Sequence, residues 1–235
     1  QYGDKARFTA ELIPLGLTEN NWQNDSQNDI QFEGQISLMK AGIIYADKLT
    51  AVSEHFRDET LTPIGGFRFD KLLLKRLADY VGIPNRLDVE SWNPSTDKAI
   101  AVKYSMDNVT EGKARNKEEL QKQLGLTVDA EIPLIAFAAR LTTQKGIDLL
   151  EAKFNELLAL GVQIVIQGTG ESAYVKNIRR LVDEANSKSE GLGRIVLLET
   201  FDEGSVRRIL AASDFFLLPS LFEPFGLTAL QAKAY

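Results

Sequence analysis

The second half of the chain alternates short apolar runs with longer amphipathic stretches. From Ile132 onward, runs such as IPLIAFAA, VQIVIQG and RIVLLET have the length and β-branched content of buried strands. Stretches with helical spacing separate them, for example QKGIDLLEAKFNELLAL at 144–160. Strands that alternate with helices of this length predict parallel strands joined by right-handed crossovers. The pattern therefore predicts an α/β fold with a doubly wound parallel sheet.

The first half of the chain has a less regular pattern. The polar tract at 18–29 predicts a surface loop, because Asn, Asp and Gln favour turns over packed elements. Apolar residues recur near helical spacing in FEGQISLMKAGIIYAD at 32–47, which predicts a helix. A short buried strand is expected at 49–53, where Ser53 can cap the helix that follows. Clustered leucines predict another helix at 69–80.

Turn-forming residues in the segment 81–94 predict a hinge between two parts of the chain. We place the boundary between residues 82 and 83, which gives an N-terminal part at 1–82 and a C-terminal part at 83–235. The charged segment at 103–126 is helical in its second half and reaches a natural stop at Gly125.

Composition excludes several classes of function. Net charge is -6, with no basic cluster that would bind nucleic acid or an acidic membrane surface. The absence of cysteine excludes disulfides, thiol catalysis and Cys-ligated zinc, and the single histidine, His55, argues against a His-based metal site or a serine-type triad. No apolar run approaches the roughly 18 residues of a membrane helix. We therefore expect neither nucleic-acid nor membrane partners.

The first strand-to-helix turn of the regular half carries two cations. Ligands of open α/β sheets bind at the carboxyl ends of the strands, so these turns are where chemistry is expected. Arg140 follows the first strand, and Lys145 and Gly146 precede the helix. Cations beside the N–H groups of a helix N-terminus form an anion site, and arginine matches phosphate geometry. Alternatively, Arg140 pairs with a nearby carboxylate and Lys145 is merely solvated.

The next two turns carry weaker signals. Gly168 and Gly170 flank Thr169 after the second strand, where they would let a ligand approach the backbone closely. Such a pair also occurs in ordinary tight turns. Phe201 follows the third strand, where an exposed ring could stack on a base. Alternatively, that ring belongs to the core.

The fourth turn contains a lone carboxylate. Glu223 lies between Phe222 and Pro224, and a helix is predicted to begin within residues 226–228. A carboxylate here could accept hydrogen bonds from sugar hydroxyls, while the helix N-terminus receives a phosphate. Alternatively, Glu223 caps the helix. Residues suited to ligand binding occur at four consecutive strand-to-helix turns, which favours a binding site.

Two of these turns resemble motifs of the glycogen and starch synthases. RLTTQKGIDLL at 140–150 resembles their R-L-x-x-Q-K-G-x-D-L, and FEPFGLTAL at 222–230 resembles their F-E-P-C-G-L-T-x-L. The resemblance extends, in order, from residue 32 to the end of the chain. It implies the GT-B fold, in which two Rossmann-like domains enclose the active site in the cleft between them.

The resemblance also implies an activity. Members of the family transfer glucose from ADP-glucose, or in some cases UDP-glucose, to the non-reducing end of an α-1,4-glucan, with retention of configuration and without a metal or other cofactor. By motif match, the catalytic residues would be Arg140 and Lys145, which neutralise the departing diphosphate, and Glu223, which holds glucose hydroxyls. The implied substrate-binding residues are Asn85, Gly168, Gly170, Phe201, Phe225, Gly226, Leu227 and Thr228.

The chain also departs from the family pattern. The family's K-x-G-G-L loop, its H-N cleft motif and its later T-G-G-L segment have no counterpart, so we expect 1–82 to be an incomplete N-terminal lobe and 83–235 a truncated nucleotide-sugar lobe. Arg86 replaces a glycine, Leu221 an arginine and Phe225 a cysteine. We expect this chain to be inactive alone, and we expect its incomplete lobe to be mobile or to self-associate with a neighbouring molecule. The expected compartment is the bacterial cytoplasm, or a plastid for a plant or algal source.

Two alternatives stay open. The chain could be a non-catalytic or redesigned GT-B-like domain that binds nucleotide or glucan. It could also belong to another GT-B transferase of the sucrose synthase type, although the Q-K-G and E-P-x-G-L-T contexts favour the glucan synthases.

Overall fold

The computed structural model describes residues 5–6, 30–33, 35–187 and 194–235, so the loop predicted at 18–29 lies outside the described residues. The chain forms two compact units, Gln1–Asn85 and Arg86–Tyr235. The sequence prediction placed the boundary at 82–83, and the assignment of the two parts to GT-B lobes stays a prediction. No helix within the described ranges is long and apolar enough to cross a membrane.

The first unit begins with a small antiparallel sheet of strand order β1-β3-β2. The helix predicted over 32–47 is wrong in its first part, because Ile36 is fully buried in β3 and Ser37 caps the helix that follows. The Ser37 hydroxyl accepts a hydrogen bond from the Lys40 N–H at 3.1 Å. The elements are β1 (Lys5–Ala6), β2 (Gln31–Phe32), β3 (Gln35–Ser37) and α1 (Leu38–Tyr45).

The described part of the first unit also contains two parallel strands, at 49–51 and 80–82, with short helices. The predicted cap is confirmed, since the Ser53 hydroxyl accepts a hydrogen bond from the Phe56 N–H at 3.0 Å. An apolar cavity of about 390 Å³ lies in this unit, lined in part by Ile43, Phe56 and Leu73. Parallel strands are normally covered on both faces, so among the described residues the two-stranded parallel sheet beside this cavity is an incomplete layer. The elements are β4 (Leu49–Ala51), α2 (Glu54–Thr60), α3 (Asp70–Lys75) and β5 (Tyr80–Gly82).

The second unit contains a four-stranded, wholly parallel sheet of order β8-β7-β6-β9. All residues of β6 and β7 are buried, as continuous apolar runs in parallel sheets require. The strands are β6 (Leu134–Ala138), β7 (Gln163–Gln167), β8 (Ile195–Leu198) and β9 (Phe215–Phe216). The helices are α4 (Val109–Gln123), α5 (Ile147–Ala159), α6 (Ser172–Ser187), α7 (Glu203–Ala212) and α8 (Leu227–Ala234).

Helices cover both faces of this sheet. Ile135 and Phe137 of β6 belong to one buried cluster with residues of α5 and α6. Leu134 and Ala136 belong to another buried cluster with residues of α4 and α7. Because alternate residues of a strand point to opposite faces, the two clusters lie on opposite sides of β6. The doubly wound α/β prediction is confirmed.

A buried arginine on α7 ties distant segments of the second unit together. The Arg207 guanidinium donates to the carboxylates of Glu203 (2.6 Å) and Asp97 (3.1 Å) and to the hydroxyl of Tyr235 (3.3 Å). It also lies 3.9 Å from the centre of the Trp92 ring, a cation–π contact. Burial alone would raise the pKa of Asp97, but hydrogen bonds from Tyr235, the Ala99 N–H and Arg207 outweigh it and lower that pKa. The carboxylate is therefore held ionised.

Replacing this arginine with an apolar residue should destabilise the second unit strongly. In Arg207→Met the Asp97 carboxylate stays buried without its cation, and loss of one partner of a buried ion pair costs about 3 kcal/mol or more. Urea unfolding followed by circular dichroism measures the change. Arg208→Met is the matched control on the same helix, because the Arg208 side chain is 37% exposed and pairs only loosely, at 3.7 Å, with Asp202. Equal effects of the two substitutions would contradict a buried tie at Arg207.

Candidate functional site

Strand order brings the predicted cationic turn and the predicted carboxylate turn to one edge of the sheet. β6 lies between β7 and β9, and all three strands are parallel, so the segments that follow them emerge side by side. The turn after β6 includes a short 3-10 helix at Thr143–Lys145 and leads into α5. The chain after β9 leads into α8.

Side chains of these two turns meet in an ion pair. The Lys145 ammonium lies 2.6 Å from Oε1 of Glu223, and both side chains are partly exposed (19% and 29%). The hydroxyl of Ser220 donates to the same oxygen at 2.7 Å. A backbone hydrogen bond from the Leu221 N–H to the Gln144 carbonyl (3.0 Å) joins the turns a second time.

The close approach of the turns requires glycine at position 146. Gly146 has a φ of 72°, and a Cβ added there would lie 2.1 Å from the carbonyl oxygen of Pro219. Any larger residue would push the turn that carries Lys145 away from the segment that carries Glu223. The spacing between the two charged side chains therefore depends on this contact.

The helices that start at this edge have no side-chain cap. Gly146 is the N-cap of α5 and Gly226 the N-cap of α8, and both are left-handed glycines. The hypothesis that Glu223 caps α8 is wrong, because its carboxylate is bonded to Lys145 and Ser220 instead. The first N–H groups of a helix lack intrahelical partners and favour an anion. Two such termini beside a lysine give an edge suited to phosphate.

The predicted aromatic and cationic side chains at the other turns are exposed. The Phe201 side chain follows β8 and is 66% exposed, so the hypothesis that it belongs to the core is wrong. Arg140 is exposed as well, and it pairs with no acid elsewhere in the described part of the chain. The alternative, in which Arg140 pairs with a nearby carboxylate, is therefore not observed among the described residues. Both side chains are accessible to a ligand.

The glycines after β7 have a packing role. A Cβ on Gly168 would lie 1.9 Å from the Ala139 carbonyl oxygen, and one on Gly170 would lie 2.3 Å from the Leu141 carbonyl oxygen. The N–H of Leu141 donates to the Thr169 carbonyl at 2.9 Å. Close contact with the chain after β6 is therefore enough to explain both glycines. Their contact with a ligand stays a prediction.

The remaining predicted residues are placed as follows. Phe225 is half-buried just before α8, and Leu227 and Thr228 form the first turn of that helix, as predicted. Asn85 belongs to the first unit, where its backbone N–H donates to the Val52 carbonyl at 3.1 Å. Within the second unit, contacts join Lys145 to Glu223 and the Gly168–Gly170 turn to the chain after β6, while Asn85 is described with the first unit.

Sequence reasoning missed the residues that support the ion pair. The Ser220 hydroxyl orients the Glu223 carboxylate, the Gln144 carbonyl accepts a hydrogen bond from the Glu223 segment, and the Pro219 carbonyl lies where Gly146 approaches that segment. Backbone carbonyls leave no trace in a sequence pattern, and a serine three residues before a glutamate is too common to stand out.

Two known families match separate parts of the chain. The family described as "Glycosyl transferases group 1" matches residues 132–235, and the family described as "Starch synthase catalytic domain" matches residues 5–75. A glycogen synthase of Syntrophotalea carbinolica is 42% identical over 235 residues, which cover 99% of this chain and 46% of the relative. One of Clostridium beijerinckii is 43% identical over 230 residues, which cover 97% and 46% respectively.

A solved structure agrees with these relatives. The catalytic domain of starch synthase IV from Arabidopsis thaliana, bound to ADP and acarbose, has a TM-score of 0.75 and 32% identity, and the match covers 92% of this chain and 42% of that one. The fold is that of the GT-B glycosyltransferases. Within that class, the chain belongs to the glycogen and starch synthase family. It spans about half the length of the relatives that it matches.

Alanine at position 146 should separate the two turns. Gly146→Ala adds a clash with Pro219 to the strain of a left-handed alanine, so we expect a loss of about 3 kcal/mol or more in the free energy of unfolding. Gly161→Ala is the matched control, because Gly161 has a similar φ of 75° and open space around it. The free energy of unfolding of Gly161→Ala should fall by only about 1 kcal/mol, the cost of a left-handed alanine. Equal losses in urea titrations would contradict the close contact.

Proposed function

We propose that this chain forms the donor-binding part of an enzyme that transfers glucose from ADP-glucose to the non-reducing end of an α-1,4-glucan, with retention of configuration. The observation that carries the proposal is the Lys145–Glu223 pair at a sheet edge where two uncapped helices begin. The relatives are named glycogen synthases, and the matching starch synthase structure contains ADP and acarbose. Both support a nucleotide sugar as donor and a glucan as acceptor.

The positive groups at this edge suit a leaving diphosphate. Lys145 and Arg140 would place two cations near the phosphates, and the N–H groups at the start of α5 and α8 would add their partial positive charge. Charge develops on the diphosphate as the bond to the sugar breaks. Donors already held in place by the sheet stabilise that charge without reorganising, which lowers the barrier.

Glu223 would hold the glucose. Its carboxylate can accept hydrogen bonds from sugar hydroxyls, and Ser220 and Lys145 fix its position. The exposed ring of Phe201 would stack on the base, while Gly168, Gly170 and the Phe225–Thr228 segment would lie along the nucleotide. We propose Asn85 as a residue contributed by the first unit.

The reaction as proposed needs no metal or other cofactor, because cationic side chains and helix N-termini take the place of a cation. The compartment proposed is the bacterial cytoplasm, in line with the bacterial relatives, or a plastid for a plant or algal source. We also propose self-association through the first unit, supported by its apolar cavity and incomplete parallel layer. The alternative is a GT-B-like domain that binds nucleotide or glucan without catalysis.

Titration with ADP tests the donor site. We expect the chain to bind ADP in isothermal titration, and Lys145→Met to weaken binding about tenfold or more through loss of a charge-assisted phosphate contact. Lys153→Met is the matched control, since Lys153 lies on α5 but pairs on the surface with Glu156. No heat at millimolar ADP would refute the donor site.

A transfer assay completes that test. We expect no radiolabel to move from ADP-glucose to glycogen with this chain alone, because the family's K-x-G-G-L and H-N motifs are absent from it. Binding without transfer by a longer chain that carries both motifs would favour the non-catalytic alternative.

Neutralising Glu223 should strengthen the binding of ADP more than the binding of ADP-glucose. In Glu223→Gln, Lys145 loses its competing partner and the phosphates lose a nearby negative charge, so ADP should bind about two- to fivefold more tightly. ADP-glucose should gain less, because the carboxylate that holds its hydroxyls is gone. Glu156→Gln, on the exposed surface, is the control. Weaker ADP binding in Glu223→Gln would contradict the proposed competition for Lys145.

A further inference from the structure

A fully buried glutamine ends the strand that precedes the Gly168–Gly170 turn. Gln167 is the last residue of β7 and is 0% exposed. Its backbone pairs with Ala138 of β6 and Leu198 of β8, so it lies at the carboxyl end of the sheet, between strands whose following turns carry predicted ligand contacts. The apolar patterns of the strands offer no reason for an amide at this position.

The amide of Gln167 bonds to the start of α7. Its Nε2 donates to the hydroxyl of Ser205 and lies 3.3 Å from the carbonyl oxygen of Asp202. Asp202 is the N-cap of α7, and its carboxylate accepts from the Ser205 N–H at 2.7 Å. Phe201 immediately precedes this cap. A single side chain from β7 therefore holds the turn that carries the exposed ring.

The carbonyl group of the Gln167 amide does not stabilise the fold through any hydrogen bond among the described residues. Oε1 of Gln167 is buried without a hydrogen-bond partner among the residues that the structure describes. A buried carbonyl without a partner lowers stability, and an apolar side chain of similar size would avoid that cost. The amide is therefore poorly explained by stability alone, whereas its bond to the α7 cap has a geometric consequence.

We propose that Gln167 is a positioning residue, whose amide holds the α7 cap and the Phe201 ring at a set place beside the Gly168–Gly170 turn, where the nucleotide base would stack. This inference rests on the proposed function for its ligand, and on the described contacts alone for its geometry. It predicts that Gln167 affects recognition of the base and leaves recognition of the diphosphate unchanged.

Gln167→Leu tests the proposal, and the same strand supplies a matched control. Gln163 begins β7 and is also buried, but its amide bonds to the Thr127 carbonyl (2.7 Å) and to Gln121 (2.9 Å) at the opposite edge of the sheet. We expect Gln167→Leu to weaken ADP binding about fivefold, a partial loss of base stacking, while inorganic pyrophosphate binds within about twofold of the unsubstituted chain. Gln163→Leu should leave the ratio of the two affinities unchanged.

Hydrogen exchange without ligand gives an independent readout. The amides of residues 199–205 should exchange faster in Gln167→Leu than in the unsubstituted chain, and at the original rate in Gln163→Leu. Unchanged exchange in this segment, or equal losses of ADP and pyrophosphate affinity, would overturn the inference. If the unsubstituted chain binds no ADP, the proposed function fails, and the exchange result still decides whether Gln167 positions the turn.

Discussion

The parallel pairing of β6 with β7 on one side and β9 on the other is the constraint on which the candidate site depends. All five residues of β6 are buried, and its alternate side chains anchor the helices on both faces of the sheet. A slip of one residue in either pairing would exchange the side chains that pack on α5 and α6 with those that pack on α4 and α7. The turns after β6 and β9 therefore lie at the same edge of the sheet, where Gly146 allows them to contact each other.

An ion pair forms where those turns meet, and we propose that it serves ligand binding more than stability. Lys145 and Glu223 come from opposite sides of the contact, and each could bind a nucleotide sugar in place of its ion-pair partner. The structure places its stabilising ion pair elsewhere, at Arg207 and Asp97, where burial is nearly complete and further hydrogen bonds satisfy both groups. Partly exposed charges at the sheet edge remain available for exchange with a ligand.

Much of this arrangement could be predicted from the sequence. The period of the apolar residues was enough to predict the doubly wound sheet, and the motifs around Lys145 and Glu223 identified the family. The helix predicted over 32–47 was wrong in part because Ile36 packs in a strand and Ser37 delays the helix start. The sequence could not decide whether Glu223 caps a helix or whether Phe201 belongs to the core. It also gave no sign of a role for Gln167. Each of these depends on contacts between segments distant in sequence.

We propose that nucleotide binds where these turns converge. Hydrogen exchange measured with and without saturating ADP tests it most directly, because it reports the location of protection. We expect slower exchange confined to the backbone around residues 140–147, 168–171, 199–203 and 224–229. Protection confined to other segments of the second unit, with these four unchanged, would contradict it.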